Sequence, residues 1–103
     1  VRDVEASTER ARVQALAQAE ARGLSAQVAV LRNGAPSFDE YKQAMETMIE
    51  CARAAGVDIT GPLEGTGGRL DYRSTNINQA ELDRCYEEHF RFIDAVYQIS
   101  LEG

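Results

Sequence analysis

Cys51, Cys85 and His89 are the residues of this chain whose types and spacing could do chemistry. His89 stands one helical turn after Cys85, so a thiolate and imidazole dyad can be drawn, or a zinc site completed by Cys51. A nucleophilic cysteine wants an accessible, electropositive setting. Cys85 instead has Asp83, Glu87 and Glu88 around it, whose charges disfavour a thiolate. Three zinc ligands spread over two helices also lack the paired short spacings of structural zinc sites, so His89 reads as a core or rim histidine. Both cysteines fall on faces that the helical period turns inward. Pairing them would staple the two best amphipathic helices, and a loop of this length makes such a bridge worth about 3 to 4 kcal/mol. The other reading is two free buried thiols that act as small hydrophobes. A small exported domain would pair them, and the compartment follows from that choice.

The remaining motifs are weaker. Asn33 to Tyr41 has the glycine, the glutamate six residues later and the aromatic of a calcium loop, but the first and third ligand positions fall on Ala29 and Leu31. Ser37 and Glu40 as a capping box account for the same residues without a metal. Gly61 to Gly68 is glycine-rich yet lacks both the Gly-Lys-Ser/Thr of a phosphate loop and the third glycine of a dinucleotide fingerprint, where Leu70 stands. It reads as a mobile hairpin tip of the kind that carries recognition. With no serine elbow, no paired carboxylates beyond solvated helix faces and no glycosylation sequon, no enzymatic activity, cofactor or metal is expected.

The elements that must position these residues come from 103 residues, which make one domain with a modest core. No apolar run is long enough to cross a membrane. The chain begins at Val1 without a methionine, as expected of a mature product or a piece of something longer. The net charge of −6 is uneven: up to Asn33 five arginines face four acidic residues, and from Gly34 onward six basic residues face thirteen acidic ones. No basic surface is written here for nucleic acid or an anionic membrane.

Alanine-rich periodicity predicts one long helix over about 3–32, with Val13, Leu16, Ala17, Leu24, Val28 and Leu31 on one side and Gly23 as a weak point. Its first 24 residues are expected to project as a stalk or to fray, and Ser25 to Leu31 also alternates well enough for a strand. Asn33-Gly34 and Pro36 stop it. A second helix over about 38–55 follows the capping box and is expected to bury Phe38, Tyr41, Met45, Met48, Ala52 and Ala55, with Ala44 and Cys51 on the shoulder. Alternation at Val57, Ile59, Leu70 and Tyr72 predicts a β-hairpin over about 57–73 with a long loop. Asn78, Glu81 and an Ile77 to Leu82 staple open a third helix over about 79–99, with Leu82, Cys85, Tyr86, His89, Ile93, Val96 and Tyr97 inward. Phe90 and Phe92 lie off that stripe and need another cover. The expected fold class is α+β, mainly helical, with three helices and the hairpin between the second and third.

Leu31, Asn33-Gly34, Asp39-Glu40-Tyr41, Cys51, Ala55-Gly56, Tyr72, Cys85-Tyr86 and Tyr97-Gln98 together resemble a group of small exported, often lipid-anchored two-cysteine proteins of actinomycetes, over roughly residues 27 to 98. The chain departs from that pattern at Ala52, where a bulkier apolar residue is usual. The resemblance implies export and the disulfide, and no particular chemistry. The leading functional expectation is a non-catalytic binding module of the cell envelope or exterior, its partner an unknown protein or envelope component. Its contact surface is expected at Gly65, Thr66, Gly67, Arg69, Tyr72 and Phe92. Two other readings stand beside it: a helical element that self-assembles as a homo-oligomer through its first helix, and a thiol or metal-dependent enzyme centred on Cys85 and His89.

Overall fold

The computed structural model describes residues 4–75 and 78–102. It is mainly helical α+β, but with five helices where three were expected: α1 Val4–Ala21, α2 Ser25–Arg32, α3 Phe38–Ala54, α4 Gln79–His89 and α5 Arg91–Ser100. The hairpin, β1 Asp58–Glu64 and β2 Leu70–Thr75, lies between α3 and α4. Both corrections come from helices that break where periodicity runs on.

The first break is local. Gly23 takes φ +69°, the left-handed conformation that ends helices, and the Leu24 amide reaches back to the Ala19 carbonyl. The chain folds over at that point, and Arg32 pairs with Glu20 across the turn at 2.8 Å. Ser25 to Leu31 is helical, so the strand alternative is set aside. The stretch read as a stalk packs instead: α1 lies along α5 and against α2, with Ala15 and Ala19 buried between them. Alanines permit that close approach, and Arg12 donates to the Leu31 carbonyl at 2.8 Å. Val13, placed on the inward stripe by periodicity, is half exposed.

The second break has a distant cause. Gln27 of α2 is 0% exposed, and its side chain amide donates to the carbonyls of Glu87 and Glu88, each at 2.9 Å. Its side chain oxygen accepts from the amides of Phe92 at 2.8 Å and Ile93 at 3.3 Å. In an unbroken helix Glu87 and Glu88 would accept from Arg91 and Phe92, and Ile93 would donate to His89. One glutamine takes over these groups, so the helix can turn at Phe90 without leaving buried backbone unpaired. The turn sends Phe90 into one core and Phe92 into another. This is the cover those two rings needed.

The larger core joins α3, α4, α5 and the base of the hairpin through Tyr41, Met45, Met48, Ile49, Ala52, Val57, Ile59, Leu82, Cys85, Phe90, Ile93 and Tyr97. The smaller one fills the space between α1, α2 and α5 with Leu31, Val28, Phe92 and Val96. Phe38, expected inside, is 42% exposed, and Ile49 takes an inward position that periodicity overlooked. The capping box forms as expected: Ser37 Oγ accepts from the Glu40 amide at 3.1 Å, and Glu40 accepts from the Ser37 amide at 2.9 Å. Asn78 likewise accepts from the Glu81 amide. The staple expected at Ile77 lies outside the described residues.

β1 and β2 pair antiparallel from Asp58 opposite Thr75 to Glu64 opposite Leu70, with an irregularity between Thr60 and Leu63 at the cis Gly61-Pro62 bond. The strand therefore runs through half of the segment read as a loop, and the tip shrinks to Gly65 through Arg69. Glycine is required at Gly61, since a Cβ there would sit 2.9 Å from Tyr72 Cβ and 3.1 Å from Ile49 Cδ1. The tip is held at its far side: Tyr97 Oη donates to the Gly68 carbonyl at 2.7 Å, and Arg69 Nε donates to Gln98 at 3.0 Å.

Candidate functional site

Cys51 and Cys85 form a disulfide that locks α3 to α4, with Cα atoms 5.7 Å apart. Cys85 is fully buried and Cys51 half-buried. His89, expected in the inward stripe, keeps 26% of its side chain exposed, and its Nε2 stands 4.0 Å from Glu88 Oε2. The sulfur of Cys51 belongs to the same small cluster, its donor atom within 4.8 Å of those of Glu88 and His89. With both sulfurs bonded to each other, no nucleophilic thiol remains among the described residues.

A concavity lies on another face, between β2, α3, α4 and α5. It is a groove of about 410 Å3 whose floor and walls are Tyr41, Met45, Leu70, Tyr72, Leu82, Tyr86 and Phe90. That volume is within the range of small-ligand sites, about 300 to 1,000 Å3. The aromatic rings are set rigidly. Tyr41 stacks on Tyr97 at 4.0 Å between centroids and 12° between planes, and Tyr86 meets Phe90 edge-on at 5.7 Å. Tyr41 Oη bonds both the amide and the carbonyl of Leu70, pinning β2 to α3.

The polar part of the lining is acidic. Asp71, Asp83 and Asp94 open onto the groove together with Gln79 and Gln98, and among the described residues no lysine or arginine lines it. Asp94 accepts from Tyr86 Oη at 2.9 Å and from Gln98 at 3.1 Å. Asp83 accepts from Gln79 at 2.7 Å, and Asp71 from the Tyr72 amide at 2.8 Å. Each of these bonds comes from a neutral donor, so the carboxylates are oriented without being neutralised. Arg91, at the start of α5, pairs with Glu87 at 2.8 Å and lies over the Phe92 ring, and its charge offsets part of the upward push on Tyr86.

The tyrosines register the resulting field. Burial pushes the Tyr86 phenol far above its ordinary range, and the Asp94 charge adds to it. Tyr72 moves the same way, through burial first and then through Asp94, Asp71 and Asp83. Both follow from a half-dry cleft in which a second negative charge is unwelcome.

No family model, curated protein or solved structure matches the chain.

Of the residues expected to make contacts, Tyr72 lines the groove. Gly65, Thr66, Gly67 and Arg69 are exposed at the hairpin tip, outside it. Phe92 is a correction: at 4% exposure it belongs to the smaller core, beneath the guanidinium groups of Arg22 and Arg91. Sequence reasoning missed Asp94, Asp83, Asp71, Tyr86 and Gln98 as a group. The one sequence signal was that Tyr72, Tyr86 and three aspartates accompany an acidic second half, and only the fold converts that into a cleft.

Proposed function

We propose that the protein is a non-catalytic binding module, exported and acting in the cell envelope or outside it, whose groove takes a basic side chain from a protein partner. The observation that carries this reading is the lining itself: three oriented aspartates and the half-buried rings of Tyr72 and Tyr86 over a floor that includes Tyr41 and Phe90, with no lysine or arginine among the described residues that line it. A lysine or arginine head group satisfies the carboxylates by charge-assisted hydrogen bonds. Its aliphatic stem, or the guanidinium plane, lies against Tyr72 and Tyr86 as cation–π and apolar contact. Export is supported by the disulfide, which forms and persists in oxidising compartments. Among the described residues no helix is long and apolar enough to cross a membrane.

The test is titration of the protein with short lysine- and arginine-containing peptides, with acidic peptides and with tetramethylammonium, followed by amide chemical shifts. Basic peptides should shift Tyr72, Asp83, Tyr86 and Asp94, weaken as salt rises, and lose at least tenfold in affinity in Asp94→Asn. Shifts with tetramethylammonium alone would replace the protein partner by a small ammonium ligand. No response to basic peptides, or an equal response in Asp94→Asn, would end the proposal.

A further inference from the structure

The cluster around the disulfide carries chemistry that the binding groove does not use. Cys51, Glu88 and His89 present donor atoms within 4.8 Å of one another, and Cys85 brings a fourth donor, since its sulfur is bonded to that of Cys51. Two sulfurs, an imidazole and a carboxylate are a donor set that suits a borderline-soft divalent ion such as Zn2+. What bars the ion in the oxidised protein is the bond between the sulfurs, because a disulfide offers no thiolate. We propose that the reduced protein binds one zinc-class ion through Cys51 Sγ, Cys85 Sγ and His89, with Glu88 as the fourth ligand, so that metal and disulfide are alternative staples between α3 and α4.

The balance is simple. Two thiols of an external dithiol reductant give up two electrons and two protons, the sulfur–sulfur bond breaks, the reductant becomes a disulfide, and Cys51 and Cys85 become thiols. Zinc then displaces both thiol protons to the solvent. Access exists, since Cys51 is half-buried and flanked by an open cleft of about 490 Å3 lined by Ala54, Ala55, Asn78, Glu81 and Arg84. Bonds of about 2.0 to 2.3 Å to a tetrahedral ion put donors about 3.3 to 3.8 Å apart, so the donors of Cys51, Glu88 and His89 need to close by about 1 Å, while the Cys85 sulfur, held near them only through its bond to Cys51, must part from that sulfur and swing toward the ion. His89 shares a helix face with Cys85 one turn earlier, a spacing that needs no backbone change. The competing charge is Arg84, which donates to Glu88 Oε2 at 3.1 Å and must yield that oxygen to the metal.

The experiment uses the whole chain, reduced with a phosphine under anaerobic conditions and verified to expose two thiols. It is titrated with Zn2+ against a chromophoric chelator and, separately, with Co2+. The reduced protein should take one equivalent with a dissociation constant below about 1 µM, and the Co2+ form should show near-ultraviolet thiolate absorption. The oxidised protein should take none. His89→Ala, folded and purified with its disulfide intact before reduction, should bind at least tenfold more weakly. If reduction loosens the fold, Zn2+ should restore helicity in the wild type. Failure of the reduced protein to retain zinc, equal affinity in His89→Ala, equal binding by the oxidised form, or unfolding that zinc does not reverse would each overturn the proposal.

Discussion

Replacing Gln27 tests the central structural claim, that one side chain of α2 holds the turn between α4 and α5. Gln27→Ala removes four hydrogen bonds, two of them to buried amides on α5 and two to part-buried carbonyls on α4. A net loss of about 1 kcal/mol per bond, or about 1 to 3 kcal/mol for each buried group left unpaired, sets the scale. The carbonyls of Glu87 and Glu88 can recover water, so the cost is concentrated on the amides of Phe92 and Ile93, giving about 3 kcal/mol. Gln27→Met keeps the volume and removes only the polar bonds, separating hydrogen bonding from cavity formation. Chemical denaturation of both variants should show a loss above about 2 kcal/mol with an unchanged slope, and thermal midpoints about 10 °C lower or more. Straightening of the helix through Phe90 would re-pair the freed backbone groups, but it would pull Phe92 or Phe90 out of its core. A loss below about 1 kcal/mol in Gln27→Met would refute the assignment.

Other perturbations follow from the same geometry. Reducing the Cys51–Cys85 bridge without metal should destabilise the protein by about 3 to 4 kcal/mol, seen as a melting midpoint lower by more than about 10 °C; an unchanged melt would remove the staple from the energetics. Gly61→Ala should cost about 1 to 3 kcal/mol, because the new Cβ meets Tyr72 and Ile49, and a neutral result in urea denaturation would mean that the hairpin is not pressed onto α3. Tyr72, Tyr86 and Tyr97 hold their protons more tightly in the folded chain than in the unfolded one, chiefly through burial. Their contribution to stability is complete below the unfolded pKa of about 10 and is lost as pH rises through the folded values. Tyrosinate absorbance from these three should therefore lag behind that of the free amino acid and appear together with unfolding; ordinary titration of Tyr72, Tyr86 and Tyr97 in the folded protein would contradict the burial argument.

The parts of the fold that could be read in advance were those written in adjacent residues. Ser37 with Glu40, Asn78 with Glu81, and the inward faces of Cys51 and Cys85 are local signals, and each forms as read. Gly23 was seen as a weak point, but whether a lone glycine weakens a helix or ends it depends on whether α2 can fold back and find a surface. The break at Phe90 had no local sign, since no glycine or proline stands there and the cause is a glutamine more than sixty residues earlier. Phe92 went wrong because periodicity ranks positions around a helix but does not know where its axis bends, whereas Phe38 stands at the very first position of α3, where a place on the inward stripe does not ensure that anything covers it. The groove was illegible in the same way, because Tyr86 and Asp94 face one another only across that bend.

The hairpin has a topological consequence. Residues 51–85 are closed by the disulfide into a covalent ring, and the hairpin tip is part of its circumference. A protease that cuts at Arg69 would open the ring yet leave a single covalently joined molecule, with β1 still attached to α3 and β2 still attached to α4. Strands nicked in this way stay at high effective concentration to each other and re-pair. The tip is thus the place where this protein could accept an inserted segment, or survive cleavage, with its groove intact.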